Sequence, residues 1–410
     1  MKVLQFSTSD QGGAGVVARV LNKALIELGV DSARTTLIQS DLRKEPFTSP
    51  LLTTAAILDE YLVKTRSTKT QISLFRAKLS AARLLENYKY DLLHLHGIEG
   101  MLNIGDISSL LSLGTPIVWT MHDMAPFTGI CHHASKCNGY QQLCQSCPQA
   151  RVLFQSHVEN SLVKKIDLFS KSKEIVFVAP SNWLADRARK SSVLRDHNVR
   201  AVPNPVDSAF FKTTSRLISR SRLGLRDDSQ VIAVVAKNLS DPNKQIKTLV
   251  EQFHQFRLSS KADSQLLIVG DGEPTSPLGA NVSKYPNLSS DRLSELFCAS
   301  DILVSGSLEE SFGLTLSEAA SVGTLVLATE GHGGSERIKN GVNGFLMASA
   351  SSLAISLERI FELSLEERMS IAEAGKIVAQ NQCHPKVVAS RYKEIYEALL
   401  YGSPAGNSKS

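Results

Sequence analysis

The sequence predicts an α/β protein made of two parallel-sheet domains, and two observations carry that prediction. Short apolar runs of strand length alternate with amphipathic stretches of helical period along the whole chain, the pattern of repeated strand–helix–strand units. Near the middle, Pro203-Asn204-Pro205-Val206-Asp207 interrupts the alternation with two prolines, which cut helices short and favour an extended connector. A chain of 410 residues is long enough for two cores.

In the first half, strands are predicted over 3–7, 92–96, 117–121, 175–179 and 199–202. The helix after the first strand shows its period plainly: Val17, Val20, Leu21, Ala24, Leu25 and Leu28 share one face, and Gly29 supplies a stop. In the second half, strands are predicted over 231–236, 266–269, 301–305 and 325–328, and a last helix over 386–400. The predicted division is 1–204, 205–384, a C-terminal helix over 385–402, and a small polar tail over 403–410 that is expected to be disordered. No internal repeat is visible.

Bulk composition excludes several classes. With 42% hydrophobic and 21% charged residues the chain reads as an ordinary globular enzyme. No apolar run approaches the ~20 residues that cross a bilayer. The chain begins at once on a strand without a signal-peptide pattern, so a cytoplasmic location is expected. Its 45 basic and 40 acidic residues are too evenly matched to suggest nucleic acid. Basic residues crowd Arg187 to Arg226, where a solvated face around the linker is preferred over a membrane contact. Thr70 to Tyr88 is basic and amphipathic. It fits a crossover helix packed on the first sheet better than a helix lying peripherally on a membrane.

The most informative segment is Glu310-Ser311-Phe312-Gly313-Leu314-Thr315-Leu316-Ser317-Glu318. One acid stands in a loop after a strand, a helix opens at the Ser-Phe-Gly turn, and a second acid follows about two turns on. Free backbone N–H groups and the positive end of the helix suit a diphosphate, and carboxylates accept hydrogen bonds from sugar hydroxyls. Lys244, in Asp241-Pro242-Asn243-Lys244-Gln245, offers a compact cation for phosphate at another helix start. His122 ends the strand Ile117-Val118-Trp119-Thr120-Met121 and can donate to a hydroxyl or stabilise developing charge; a histidine bonded to a loop carbonyl is the alternative. His94 and His96 end another strand, where packing is the preferred reading. Gly12-Gly13-Ala14-Gly15 bridges the first strand and helix, and Gly13 to Ala18 satisfies the loose dinucleotide pattern. The second strand is expected to end near Ile38-Gln39-Ser40, so only Asp41 supplies the ribose acid that pattern requires, and the dinucleotide reading is weak.

Cys131, Cys137, Cys144 and Cys147 lie in one short segment past His122, with His132 and His133 among them. Two readings stand: a structural zinc held by four thiolates, and reduced, partly buried thiols. Cys298 and Cys383 are isolated and read as core.

The order of Gly12-Gly13-Ala14-Gly15, Trp119-Thr120-Met121-His122-Asp123, Ala179-Pro180-Ser181, Pro203 to Asp207, Glu310 to Glu318, and Gly333-Gly334-Ser335-Glu336 with Asn340 to Gly344 resembles the retaining nucleotide-sugar glycosyltransferases of the group 1, family 4 type, over nearly the whole chain. His122 to Gly129 with four cysteines behind it is similar to the colanic-acid-type branch. The resemblance implies a GT-B fold, two Rossmann-like domains facing across a cleft with the last helix crossing back. It implies a metal-independent enzyme that takes a nucleotide-diphosphate sugar donor and a saccharide or lipid-linked acceptor in polysaccharide assembly. It also assigns roles. Glu310 and His122 serve the transferred sugar, Glu318 grips the nucleotide ribose, and Ser311, Phe312, Gly313 and Leu314 offer N–H groups to the diphosphate. Gly13 lies against the diphosphate or the acceptor. The family pairs its lysine at Lys244 with an arginine a few residues earlier; here Ala236-Lys237-Asn238-Leu239 has none, and Lys237 is the substitute on offer. Asp271, Gly272 and the segment Val282 to Leu288 are expected to read the base. The rival classes are a sugar-nucleotide epimerase, a nicotinamide oxidoreductase and a non-catalytic sugar-nucleotide sensor.

Overall fold

The computed structural model describes residues 1–10, 12–36, 62–65, 71–73, 89–99, 102–172, 174–212, 215–260, 262–274 and 277–402. Asp41, most of the 70–88 stretch and the tail 403–410 lie outside the described residues. Among the described residues, twelve strands form two six-stranded sheets in which neighbouring strands pair in parallel. The chain divides into two compact units, Met1–Pro203 with Lys386–Ser410, and Asn204–Pro385.

The first sheet contains β1 (Lys2–Ser7), β2 (Asp31–Thr36), β3 (Leu92–His96), β4 (Ile117–Thr120), β5 (Ile175–Ala179) and β6 (Val199–Ala201), in the order β2-β1-β3-β4-β5-β6. Both faces are covered, which is why its central strands read as unbroken apolar runs. Alternate residues face opposite cores. Leu4, Phe6, Leu93, Leu95, Trp119 and Phe177 belong to one; Val3, Leu92, Val118, Val176 and Val178 belong to the other. That second core takes Leu21 and Leu25 from the helix Gly12–Glu27, and Val388, Ala389, Tyr392, Ile395 and Tyr396 from the helix Pro385–Tyr401. The last helix thus packs on the first sheet through its 3.6-residue stripe.

The second sheet contains β7 (Gln230–Asn238), β8 (Ser264–Asp271), β9 (Val282–Tyr285), β10 (Ile302–Ser305), β11 (Leu325–Thr329) and β12 (Phe345–Met347), in the order β12-β11-β10-β7-β8-β9. Its two cores again split the strands by alternation, Ile232 and Ile268 on one side, Ala233 and Val269 on the other.

Two strands, β9 and β12, gave no separate signal in the sequence, and β2 gave a weak one. β2, β9 and β12 are edge strands and are strands because a neighbour's free ladder groups pair with them; β2 and β9 carry polar residues, and β12 is only three residues long. β2 is described over Asp31–Thr36, and the expected boundary at Ile38-Gln39-Ser40 lies outside the described residues.

Candidate active site

In the second unit, β7 and β10 are neighbours, yet the chain leaves β7 for β8 on one side and β10 for β11 on the other. This is a topological switch point, where loops after the strand ends diverge and leave room for a ligand. Lys244 follows β7, in the 3-10 turn Pro242–Lys244 ahead of the helix Ile246–Ser259, and Glu310 follows β10. Asn243 joins the two loops. Its side chain donates to the Glu309 carbonyl at 2.9 Å and accepts from the Glu309 N–H at 3.0 Å, while its own carbonyl takes the Leu308 N–H at 2.9 Å. So clamped, the Lys244 ammonium meets the Glu310 carboxylate at 2.6 Å, with the Ser307 hydroxyl 3.4 Å from both. Burial works against the charge of Lys244, but Glu310 outweighs it and holds the ammonium above its ordinary pKa. Lys237, at the end of β7, is exposed.

The helix that Glu310 precedes runs Leu314–Val322, with Gly313 in front of it at φ +71. A Cβ on Gly313 would lie 2.9 Å from the Cα of Gly334, so two glycine backbones meet here, and the Gly334 N–H donates to the Glu310 carbonyl at 3.2 Å. Ser311 and Phe312 are buried, whereas Leu314 and Thr315 keep partial exposure at the helix start. Arg337 braces the turn, donating from one Nη2 to the Phe312 carbonyl at 2.6 Å and to the Ser317 hydroxyl at 3.0 Å. Glu318 is 7% exposed; burial, with Asp207 adding repulsion, pushes its pKa up to about 8. His332 accepts from the Gly334 N–H on Nδ1, so its Nε2 carries the proton and donates to Thr329 at 3.0 Å.

In the first unit the structure shifts the emphasis among the glycines. Gly12–Gly15 forms the first turn of the helix rather than a loop before it. The tight approach is at Gly15, whose Cβ would fall 2.2 Å from the Ser9 carbonyl; Gly13 is exposed with open space where its Cβ would stand. His122 stands just past β4. Its Nε2 lies 3.2 Å from Nδ1 of the fully buried His96, and burial lowers its pKa to about 4, so it is neutral near pH 7. His94 is also buried, held by Thr120 at 2.7 Å and the Tyr396 hydroxyl at 2.6 Å. This settles His94 as a packed residue. The next residue, Asp123, accepts from the Ala125 N–H at 2.8 Å and pairs with His132 Nδ1 at 2.5 Å, and His132 Nε2 meets the Ser73 hydroxyl at 2.7 Å. Ser73 spends its N–H on the Ile130 carbonyl, so the chain acts as a latch on the loop behind His122.

Cys131, Cys137, Cys144 and Cys147 all line one small cavity beneath Gly129 and Tyr140. Burial raises the Cys144 thiol to about 11 and lifts Cys131 and Cys147 as well. Among the described residues, however, no three Cys, His, Asp or Glu side chains converge closely enough to hold a metal ion. Cys383 is buried and Cys298 partly so.

A family model described as "Glycosyl transferases group 1" matches residues 216–378, and one described as "Glycosyltransferase Family 4" matches 11–210. The chain belongs to the group 1, family 4 glycosyltransferases. The lipopolysaccharide 1,2-N-acetylglucosaminetransferase of Salmonella typhimurium is 24% identical to this glycosyltransferase over 275 residues, 62% of this chain and 69% of that one. A D-inositol 3-phosphate glycosyltransferase of Pseudarthrobacter chlorophenolicus is 25% identical over 96% of this chain and 92% of its own length. The putative colanic acid biosynthesis glycosyl transferase WcaC of Escherichia coli is 25% identical over 63% and 58%. Among solved structures, sucrose-phosphate synthase from Thermosynechococcus elongatus superposes with a TM-score of 0.70 at 17% identity, covering 98% of this glycosyltransferase and all of that chain. Anabaena Alr3699/HepE, solved with UDP and glucose, gives 0.63 at 16% over 97% and 100%. The fold of this glycosyltransferase is GT-B, two Rossmann-like parallel-sheet domains.

Asn243, Ser307, Asp207, His332 and Arg337 take part in the site, and the sequence reading passed over them. Asn243 stood beside Lys244 and Arg337 beside Glu336, but nothing local indicates that a side chain will reach 66 positions along the chain, as Asn243 does to Glu309.

Proposed function

We propose that this glycosyltransferase moves a sugar from a nucleotide-diphosphate donor to a saccharide or lipid-linked saccharide acceptor, with retention at the anomeric carbon, in surface polysaccharide assembly. The carrying observation is the 2.6 Å Lys244–Glu310 pair at the β7/β10 switch point, at the head of the Leu314–Val322 helix. When the anomeric C–O bond breaks, negative charge grows on the diphosphate and positive charge on the sugar. A cation beside a helix N-terminus opposes the first, and a carboxylate opposes the second. Lys244 then shares its ammonium between Glu310 and the phosphates, and Lys237 is the second cation on offer. Glu310 reaches hydroxyls of the sugar. The N–H groups of Ser311, Phe312, Gly313 and Leu314 serve the diphosphate.

Glu318, protonated by burial, both donates to and accepts from the ribose hydroxyls. His122 serves the transferred sugar, and Gly13 leaves its open face to a ligand. The end of β8, where Asp271 takes the Asn287 N–H at 3.2 Å, reads the base. The chemistry needs no metal ion. The four cysteines keep two readings, a structural zinc held by thiolates and reduced, buried thiols, and the described side chains do not converge on a metal. No helix among the described residues is long and apolar enough to cross a membrane, so a lipid-linked acceptor would be met peripherally.

UDP and UDP-glucose in HepE, and colanic acid in the name of WcaC, support the donor and the setting by likeness. The test is a thermal-shift screen of nucleotide-diphosphate sugars. Product analysis with donor alone and with a saccharide acceptor follows, with the anomeric configuration of the product read by NMR. A stabilising donor and a retained linkage support the reading. Epimerised donor without acceptor, or binding with no turnover on any acceptor, overturns it.

A further inference from the structure

Among the described residues, the His122 ring makes one hydrogen bond. Its Nε2 faces His96 Nδ1 at 3.2 Å, with the two rings stacked at an angle of 30°. Its Nδ1 has no hydrogen-bond partner among the described residues, and His122 is partly exposed, which leaves this nitrogen available to a ligand. His96 closes β3 and is 0% exposed, with its other nitrogen, Nε2, buried and without a partner. Behind it the ring of His94 lies 3.9 Å away, itself pinned by Tyr396 and Thr120, so His96 is held where it stands.

Two neutral imidazoles facing each other leave one proton for the shared bond. If His122 supplied it, His96 would carry its own proton on the buried Nε2, an N–H with no acceptor. If His96 supplies it from Nδ1, the buried Nε2 holds only a lone pair. Orphaned buried N–H groups are the rarer defect. Burial disfavours the charged form of both rings, which keeps one proton on each.

We infer that His96 is a positioning residue for the transfer reaction: it donates from Nδ1 to Nε2 of His122, and so fixes His122 as the Nδ1–H tautomer. His122 therefore presents a neutral N–H donor to an acceptor atom, a sugar hydroxyl oxygen or a phosphate oxygen, and does not act as a proton-abstracting base. The inference rests on the proposed role of His122 in transfer, but its first readout does not.

The experiment is long-range 1H–15N correlation on histidine-labelled protein, which reports which ring nitrogen of His122 is protonated, in the wild type and in His96→Phe and His96→Asn. The wild type is expected to show Nδ1–H. His96→Phe is expected to release His122 toward the Nε2–H form that histidine prefers in water, and to lower turnover about ten- to a hundred-fold. His96→Asn places an amide donor near the old Nδ1 position and is expected to restore both the tautomer and most of the turnover. An Nε2–H signal in the wild type, or an unchanged tautomer in a folded His96→Phe, overturns the inference. If no donor or acceptor supports transfer, the functional reading fails while the tautomer result still stands on its own.

Discussion

The Arg337 guanidinium lies over the Phe312 ring, 3.9 Å from its centre, and donates to the carbonyl of the same residue at 2.6 Å. One side chain thereby fixes both the ring and the backbone of the turn that opens the Leu314–Val322 helix. A planar fork does this and an ammonium cannot. Arg337→Lys is expected to lower unfolding free energy by about 1–3 kcal/mol, and to weaken donor binding by loosening Ser311–Gly313. Denaturant titration checks the first, and donor titration the second.

Glu310 contributes little to stability. Its side chain is 25% exposed and that of Lys244 26%, so their ion pair contributes no more than about 1 kcal/mol. Glu310→Ala is expected to melt near the wild type while turnover falls by about 10²–10³. Wild-type turnover with the best donor would remove Glu310 from the mechanism.

Gly313 and Gly13 make a contrasting pair. At Gly313 an alanine would carry a positive φ, costing about 1–2 kcal/mol, and would press on Gly334 as well. At Gly13 an alanine meets open space within a helix, so stability is expected to hold or rise by up to about 1 kcal/mol. Urea unfolding separates the two. If transfer by Gly13→Ala still falls, the open face at Gly13 serves a ligand; if it does not, that role is gone.

Glu318 predicts a pH dependence of stability. Its folded pKa, about 8, lies above the unfolded value of 4.5, so the folded chain holds this proton more tightly. The stabilisation is complete below about pH 4.5 and is lost as pH rises through 8, with a size on the order of a few kcal/mol. Glu318→Gln, which cannot ionise, is expected to flatten the fall of Tm between pH 5 and 8.5. Parallel Tm profiles in the two proteins would contradict the assignment.

Elemental analysis separates the two readings of the four-cysteine loop: one zinc per chain, with a Tm that strong chelation lowers, is the outcome expected of a metal site. A metal-free preparation whose melting ignores the chelator would leave the cavity as a cluster of buried thiols.

Much of the fold was legible because parallel strands covered on both faces are largely apolar, which marks β5 residue by residue and β3 at all positions but His94 and His96. β2, reading Asp-Ser-Ala-Arg-Thr-Thr, has no such signature, because an edge strand owes its state to the pairing that β1 offers. The Glu310–Glu318 segment and Lys244 stood out by residue type at a strand end. Within the Gly12–Gly15 run, Gly15 is the one whose surroundings exclude a side chain, which no local signal distinguishes from Gly13.

The sequence by itself determined the two-sheet α/β architecture, the family, and the residue types able to handle a sugar and a diphosphate, since periodicity and loop chemistry are local properties. Only the tertiary structure decided that Lys244 and Glu310 touch, that Asn243 clamps their loops together, and that His96 stands behind His122. These pairs lie 66, 66 and 26 positions apart. What joins them is strand order within a sheet, which the packing of whole layers sets and no local run of residues encodes.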